Sequence, residues 1–187
     1  MRRLVFSNNI SLDGFFTDRN GSMSWAKMDR DEEFQAYVNS KASTSGPLIF
    51  GRITYQLMAS YWPTPMAMQN DPVVAKGMNS RPKIVFSRSL PKAEWENTTL
   101  LKGNAVEEVS RLKQEAGEDM AILGSGSLVS QLVAAGLIDE FQLIVNPVVI
   151  GKGRSLFETV TGVIPVELRE SQTFKNGKVI LSYVPKQ

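Results

Sequence analysis

The sequence predicts an α/β fold with a mainly parallel central sheet that finishes in antiparallel strands. Three observations carry that prediction. Short apolar runs of strand length at 2–11, 47–50, 82–87 and 120–123 alternate with segments of helical periodicity. Beyond residue 140 the alternation stops and β-rich segments follow one another. The 187 residues, 42% hydrophobic and 21% charged, suit one well-packed core, so a single domain over 1–187 is expected.

Each element has its own justification. The first strand centres on Leu4-Val5-Phe6, and Asp13-Gly14 punctuates its exit. Residues 29–42 place Phe34, Tyr37 and Val38 at helical spacing, with acidic residues in the first turn where the helix dipole favours them. The run at 47–50 leads through Gly51 into a helix over 52–61. After a Pro-rich connection at 62–72, a short helix is expected over 73–79 and a buried strand over 82–87. Val106, Val109 and Leu112 mark one face of a helix over 105–116, which leads to the strand at 120–123. Leu128, Leu132 and Val133 form the sheet-facing side of the next helix. Residues 141–150, 163–174 and 178–184 then read as strands, with Asn176-Gly177 a hairpin turn between the last two.

The chain has no cysteine and no histidine. That removes disulfides, thiolate nucleophiles, Cys/His metal sites and imidazole acid-base chemistry, and no metal site is expected. Catalysis must use carboxylates, hydroxyls, Lys or Tyr, or an organic cofactor that carries the chemistry. The net charge of +2 comes without a dense Lys/Arg run, which argues against nucleic acid or a membrane surface as partner. No stretch approaches the about 18 apolar residues of a membrane span, and the apolar run after Arg2-Arg3 is too short for a signal peptide. A cytoplasmic protein acting on a small molecule is expected.

Three junctions share one anatomy. In AILGSGSLVSQLVAAGLIDEF, residues 121–141, a strand runs through Gly124-Ser125-Gly126-Ser127 into an amphipathic helix. Unpaired first-turn N–H groups and the positive end of the helix dipole converge there. Glycine permits close backbone approach, so the turn reads as a pyrophosphate cradle. The same residues also read as a tight turn with Ser127 as N-cap. In LIFGRITY, residues 48–55, Gly51 ends a strand, Arg52 is placed to pair with a phosphate and Thr54 to cap the helix. In FSRS, residues 86–89, Ser87, Arg88 and Ser89 lie just past a strand. All three junctions fall at strand carboxyl ends, where open α/β sheets bind ligands, and together they predict a ligand with several phosphates. Val129 stands where a G-x-G-x-x-G fingerprint needs its third glycine, and GKGRS at 151–155 lacks P-loop spacing; the latter reads as a loop between strands.

Taken in order, Ser11-Leu12-Asp13-Gly14, Gly51-Arg52-Ile53-Thr54-Tyr55, Val85-Phe86-Ser87-Arg88, Gly124-Ser125-Gly126-Ser127, and Asp139-Glu140 ahead of Asn146-Pro147 resemble the dihydrofolate reductase superfamily. Within it, the chain looks most like the C-terminal reductase domain of the bacterial bifunctional deaminase-reductase of riboflavin biosynthesis. The resemblance spans nearly the whole chain and implies a dihydrofolate reductase-like three-layer fold. It implies NADPH as cofactor, with hydride passing from C4 of the nicotinamide to a polarised C=N or C=O. The substrate would be a small pyrimidine/pterin-like or ribosylamino-pyrimidine compound. By the same resemblance Gly124, Ser125, Gly126, Ser127 and Leu128 cradle the pyrophosphate, and Gly51, Arg52 and Thr54 flank the phosphates. Ser87 and Arg88 meet the adenosine 2′-phosphate, and the strand-one exit with Asn9 and Ile10 lies near the nicotinamide.

Asp13 follows that exit and is the candidate catalytic residue, a carboxylate that orients substrate; an Asp-Gly turn accounts for it as well. Phe16 and Trp25 are the candidate substrate-binding aromatics, walling a flat ring beneath a loop over 17–24, with core packing the other account of the phenylalanines. Trp25 resembles the aromatic at the end of the superfamily's active-site loop. Arg30 stands where spacing puts the superfamily's first-helix carboxylate, with Asp29, Asp31 and Glu32 around it; those acids also read as dipole-favoured first-turn residues. The alternative function is a non-catalytic NADP(H)-binding module of the same fold. A homodimer is expected if the apolar strand at 141–150 forms a sheet edge, because exposed edges are covered.

Overall fold

The computed structural model describes residues 1–26 and 31–186, so Asp29 and Arg30 lie outside the described residues. β1 (Leu4–Ser11) turns at Asp13-Gly14 into the short β2 (Phe15–Asp18), and a single 3-10 turn at Ser24–Ala26 precedes α1 (Glu32–Ala42). The parallel part continues as β3 (Leu48–Gly51), α2 (Arg52–Tyr61), α3 (Pro65–Asn70), α4 (Pro72–Ser80), β4 (Lys83–Phe86), β5 (Thr98–Leu101), α5 (Ala105–Gln114), β6 (Met120–Leu123) and α6 (Gly126–Ala134). The C-terminal third holds β7 (Glu140–Asn146), β8 (Gly153–Ser155), β9 (Val166–Thr173) and β10 (Val179–Pro185).

Eight strands form one sheet in the order β5-β4-β3-β6-β1-β7-β10-β9. From β5 to β7 all neighbours are parallel, and β10 runs antiparallel to both β7 and β9. Helices cover both faces, which is why the central strands are near-continuous apolar runs. On one face Val109, Leu112, Leu128 and Leu132 of α5 and α6 pack on Leu4, Phe6, Ile122 and Phe141. On the other, Tyr55, Val74 and Met78 pack with Leu48, Phe50, Val85 and Trp95, while Phe34 and Tyr37 of α1 lie on Ile144, Phe174 and Ile180. No described helix is long and apolar enough to cross a membrane.

The parallel core matches the sequence reading closely, with the expected helix at α2 and the expected strand at β6 found at the same residues. Four short elements escaped it. β5 (TTLL) is half exposed and has no apolar run, and α3 lies inside the Pro-rich connection, where Thr64 caps it by accepting from the Ala67 amide at 3.2 Å. β2 and β8 pair only with each other, so neither carries a two-sided burial pattern. β8 occupies part of the segment read as a loop at 151–155.

The expectation that 141–150 forms a sheet edge is overturned. β7 is hydrogen-bonded by β1 on one side and β10 on the other, and the edges are β5 and β9. The C-terminal hairpin folds back over β7, and this strand order removes the argument that β7 pairs across a two-fold axis. α1 is anchored to that hairpin. Asp31 caps the helix by accepting from the Phe34 amide at 3.0 Å, and its other oxygen accepts from the Asn176 amide at 3.0 Å. These bonds, that from Phe34 first, hold its carboxyl below the usual range. Asp31 is therefore a cap and a tie.

Candidate active site

The carboxyl ends of β1, β3, β4 and β6 open on one cleft of about 940 Å³. Its first end is made by the junctions β3–α2, β4–β5 and β6–α6, which contribute Gly51, Arg52, Thr54, Ser87, Arg88 and Gly124 through Leu128 to the lining. Two of the junctions are locked together. The Ser125 hydroxyl accepts from the Gly51 amide at 2.7 Å and donates to Thr54 Oγ1 at 2.9 Å. A Cβ on Gly51 would come 3.1 Å from Ser125 Oγ, and one on Gly124, whose φ is +59°, would come 3.0 Å from Thr54 Oγ1. Only a bare backbone allows the two turns to meet. Ser125 itself is left-handed at φ 63°, a conformation that costs a side chain about 1 kcal/mol or more and marks the turn as constrained.

This geometry corrects two details of capping. α2 begins at Gly51 without a side-chain cap, because Thr54 is occupied by Ser125. α6 is capped at Ser125 and not at Ser127, again with no side chain on its first amides. First-turn N–H groups of both helices thus remain for a ligand. Arg52 and Arg88 are exposed beside them; Arg52 touches Gln56 at 3.2 Å. The Ser87 hydroxyl accepts from the Leu90 amide at 2.9 Å, shaping the loop that presents Arg88.

The second end lies between β1, β2, α1 and the start of β10. Asn8, Asn9, Phe16, Thr17, Met23, Phe34, Ile144 and Lys178 line it. Phe16 is buried, and its ring would stand 3.2 Å from a Cβ on Gly126, so it closes the floor next to the turn at 124–127. Asn8 and Thr17 are each 7% exposed, and Asn8 Nδ2 and Thr17 Oγ1 have no hydrogen-bond partner among the described residues. A buried polar atom left unpaired costs about 1–3 kcal/mol. Two such atoms on the wall of one cleft fit a polar ligand. The Asn8 orientation is set by its Oδ1, which accepts from the Asn9 amide at 3.0 Å.

Lys178 was not singled out in the sequence. It is 4% exposed, and its Nζ donates to Asn146 Oδ1 and to the Ala26 carbonyl, the latter at 2.9 Å. Asn146 is fully buried and donates in turn to Asn9 Oδ1 at 3.1 Å and to the Ile10 and Ile144 carbonyls. Burial pushes the Lys178 ammonium down to about 8. Its one trace in the sequence is its place two residues before Ile180, on the buried face of the last strand. Lysines at strand starts are too common for that position to stand out.

Three sequence candidates lie elsewhere. Asp13, Ile10 and Trp25 are not among the residues lining the cleft. Asp13 is exposed and accepts from the Gly151 amide at 2.7 Å and the Ile150 amide at 3.3 Å. The Ser11 hydroxyl and these two amides hold its carboxyl below the usual range. It joins the β1–β2 turn to the loop after β7, the turn role that competed with catalysis. Trp25, in the 3-10 turn, donates to the carbonyl of Ser22 just before it at 3.2 Å, and Ile10 packs against the α5–α6 side of the core.

A family model, the RibD C-terminal domain, matches residues 2–180. The chain belongs to that family. YyaP of Bacillus subtilis (strain 168), an uncharacterised protein, is 32% identical over 183 residues, covering 97% of this chain and 94% of YyaP. Two solved structures are similar across the chain. A protein of Shewanella sp. PV-4 provisionally assigned to riboflavin biosynthesis superposes with a TM-score of 0.73 at 22% identity, over 100% of both chains. Dihydrofolate reductase from Enterococcus faecalis, complexed with NADP(H) and RAB-propyl, superposes with a TM-score of 0.65 at 15% identity, over 99% of this chain and 97% of that one. At these identities the two structures speak for the fold, which is that of the riboflavin-type and dihydrofolate-type reductases. Family and fold together give a reductase-type domain.

Proposed function

We propose that the protein is an NADPH-dependent reductase acting on a small pyrimidine/pterin-like or ribosylamino-pyrimidine compound. The observation that carries this reading is the convergence of three strand ends on one cleft, with free helix amides, two exposed guanidiniums and a bare-backbone turn at one end and buried, unpartnered polar atoms at the other. The residues present fit the cofactor. Gly124 to Ser127 would offer amides to the pyrophosphate, with Gly51 and Leu128 lining its approach, Arg52 would offer charge, and Ser87 with Arg88 a phosphate-reading pair past β4. Asn8, Asn9, Phe16 and Thr17 would receive the nicotinamide, which when bound supplies the hydride. The protein's part is to hold donor and acceptor in line and to exclude water. The match to the RibD C-terminal domain and the NADP(H) of the similar reductase support the reading.

The test is a fluorescence titration with NADPH and NADH, followed by NADPH oxidation against dihydrofolate and a ribosylamino-pyrimidine. Selective NADPH binding with turnover of either class supports the reading; failure to bind either nucleotide overturns it. A second reading, a non-catalytic NADP(H)-binding module, is favoured by the position of Asp13 outside the cleft lining. That module binds NADPH and reduces no acceptor.

A further inference from the structure

Among the described residues three lysines are buried, and they differ in what their ammonium groups have left to give; Lys113 is paired with the Asp139 carboxylate and donates to the Leu137 carbonyl, away from the cleft lining. Lys83, 1% exposed, donates to the carbonyls of Met78, Asn79 and Arg81 at 3.0, 3.0 and 2.8 Å, and lies over the Trp95 ring. All three of its N–H bonds are used, it does not line the cleft, and its role is to hold α4 to β4. Lys178 donates to two acceptors, Asn146 Oδ1 and the Ala26 carbonyl, and lines the cleft. Its third N–H has no acceptor among the described residues. The Phe34 ring lies beneath it, its centroid 5.0 Å from Nζ.

Among the described residues Lys178 has no counter-ion. It is packed by the 3-10 turn, α1, β7 and its own hairpin. On α1, Asp31 is spent on the Phe34 and Asn176 amides, Glu32 is exposed, and Glu33 accepts from Gln172 at 3.3 Å. On β7, Glu140 is paired with Arg3 at 2.6 Å and accepts from Ser182 at 2.6 Å. The further charges on these elements, Lys41 over the Tyr37 ring and Glu167, Arg169, Glu170 and Lys175 on the hairpin, are all exposed. The other ionisable side chains lining the cleft are Arg52, Arg88 and Arg154. Guanidiniums do not release protons near neutral pH, so Lys178 is the one ionisable group lining the cleft, among the described residues, that can.

We propose that Lys178 is the proton donor of this cleft, its free N–H directed at the acceptor atom of the substrate and its position set by Asn146. The inference rests on the reductase reading above. In the step, hydride forms the new C–H bond at the acceptor carbon and the C=N or C=O π pair moves onto nitrogen or oxygen. That atom takes the proton from the Lys178 ammonium; NADPH is oxidised, the substrate is reduced, and neutral Lys178 regains a proton from water. The dry site, which makes the ammonium a stronger acid than an exposed lysine, is the environment a general acid working near neutral pH needs. Asn8 Nδ2 and Thr17 Oγ1, unpaired on the same cleft, are the groups left to orient the ring.

Two variants and two readouts decide it. Lys178→Arg keeps the charge and the bonds to Asn146 and Ala26 but cannot donate a proton; Lys178→Met removes both. Wild type is expected to lose kcat as pH rises through about 8, where the ammonium is consumed. Lys178→Arg is expected to lower kcat by about 100-fold or more with KM for NADPH unchanged and the alkaline limb gone. Independently of any acceptor, 13C-lysine NMR is expected to show the Lys178 ε-carbon titrating well below the exposed lysines, alongside Lys83, with NADPH moving the Lys178 signal and leaving that of Lys83 in place. A Lys178 signal that titrates with the exposed lysines overturns the proposal. So does a Lys178→Arg enzyme with wild-type kcat and pH profile while wild type turns over, and that result leaves the reductase reading standing. Wild type that binds no NADPH removes the reading and the proposal together; wild type that binds without turnover leaves the binding module and overturns the proposal.

Discussion

The two ends of the cleft, proposed to hold the phosphates and the ring, offer a ligand different materials. At the phosphate end the groups on offer are backbone amides and exposed guanidiniums, and the one tight feature is the contact of Gly51 and Gly124 with Ser125 and Thr54. At the ring end they are buried side chains from β1, β2, α1, β7 and the start of β10, tied in a chain from Lys178 through Asn146 to Asn9. The first end works by geometry and long-range charge, so substitutions of its side chains act on affinity and respond to salt. The second works by desolvation, where each unpaired polar group is expensive, so substitutions there act on stability and chemistry together.

That contrast can be broken at several points. Gly124→Val should have the largest effect. It puts a β-branched side chain at φ +59° with its Cβ 3.0 Å from Thr54 Oγ1, which adds about 3 kcal/mol of strain and parts the two turns. NADPH affinity should fall by about 100-fold or more, read by fluorescence titration. If affinity survives, the cradle is not at this turn.

Asn146→Ala should destabilise the fold by about 2–3 kcal/mol in urea denaturation, because a buried ammonium and two carbonyls lose a partner at once. NADPH affinity should change far less than stability. An equal loss of both would mean that the two ends are one unit. Arg88→Ala should leave stability unchanged and weaken NADPH by about 10–100-fold at low salt while sparing NADH, the effect shrinking as salt is added. Asp13→Ala should be the mildest, with NADPH affinity within about twofold of wild type, since its carboxylate serves the loop at Ile150 and Gly151. A large loss of turnover there would return Asp13 to the mechanism.

Legibility in the sequence follows the same divide. The three junctions proposed to hold phosphate were legible as junctions, and the structure brings them to one cleft, because a strand, a glycine turn and a helix start are contiguous and their backbone chemistry is local. Even there the capping was misassigned, since Thr54 bonds to Ser125 across 71 residues and so is lost to its own helix. The ring end was read in part. Asn9 and Phe16 sit beside a visible turn and line the cleft as expected, and Asn146 was read only within Asn146-Pro147, while Lys178, Asn8 and Thr17 carry no local pattern and were not singled out. Trp25 and Asp13 were chosen for chemistry and neighbourhood, and the structure gives them a turn each.

By itself the sequence determined the elements, their α/β alternation, the change to antiparallel strands and the three strand-end junctions, because apolar periodicity, glycine turns and helix starts are properties of short segments. It also removed imidazole and thiol chemistry outright, since those side chains are missing from the chain. Only the tertiary structure decided that the C-terminal hairpin covers β7, leaving β9 at the edge, and that α1 is pinned to that hairpin through Asp31 and Asn176. The same packing brings Lys178 to a site begun by Asn9, 169 positions earlier in the chain as the numbering counts them. Strand order and burial are set by which surfaces exclude water together, a condition that belongs to the folded molecule and to no segment of it.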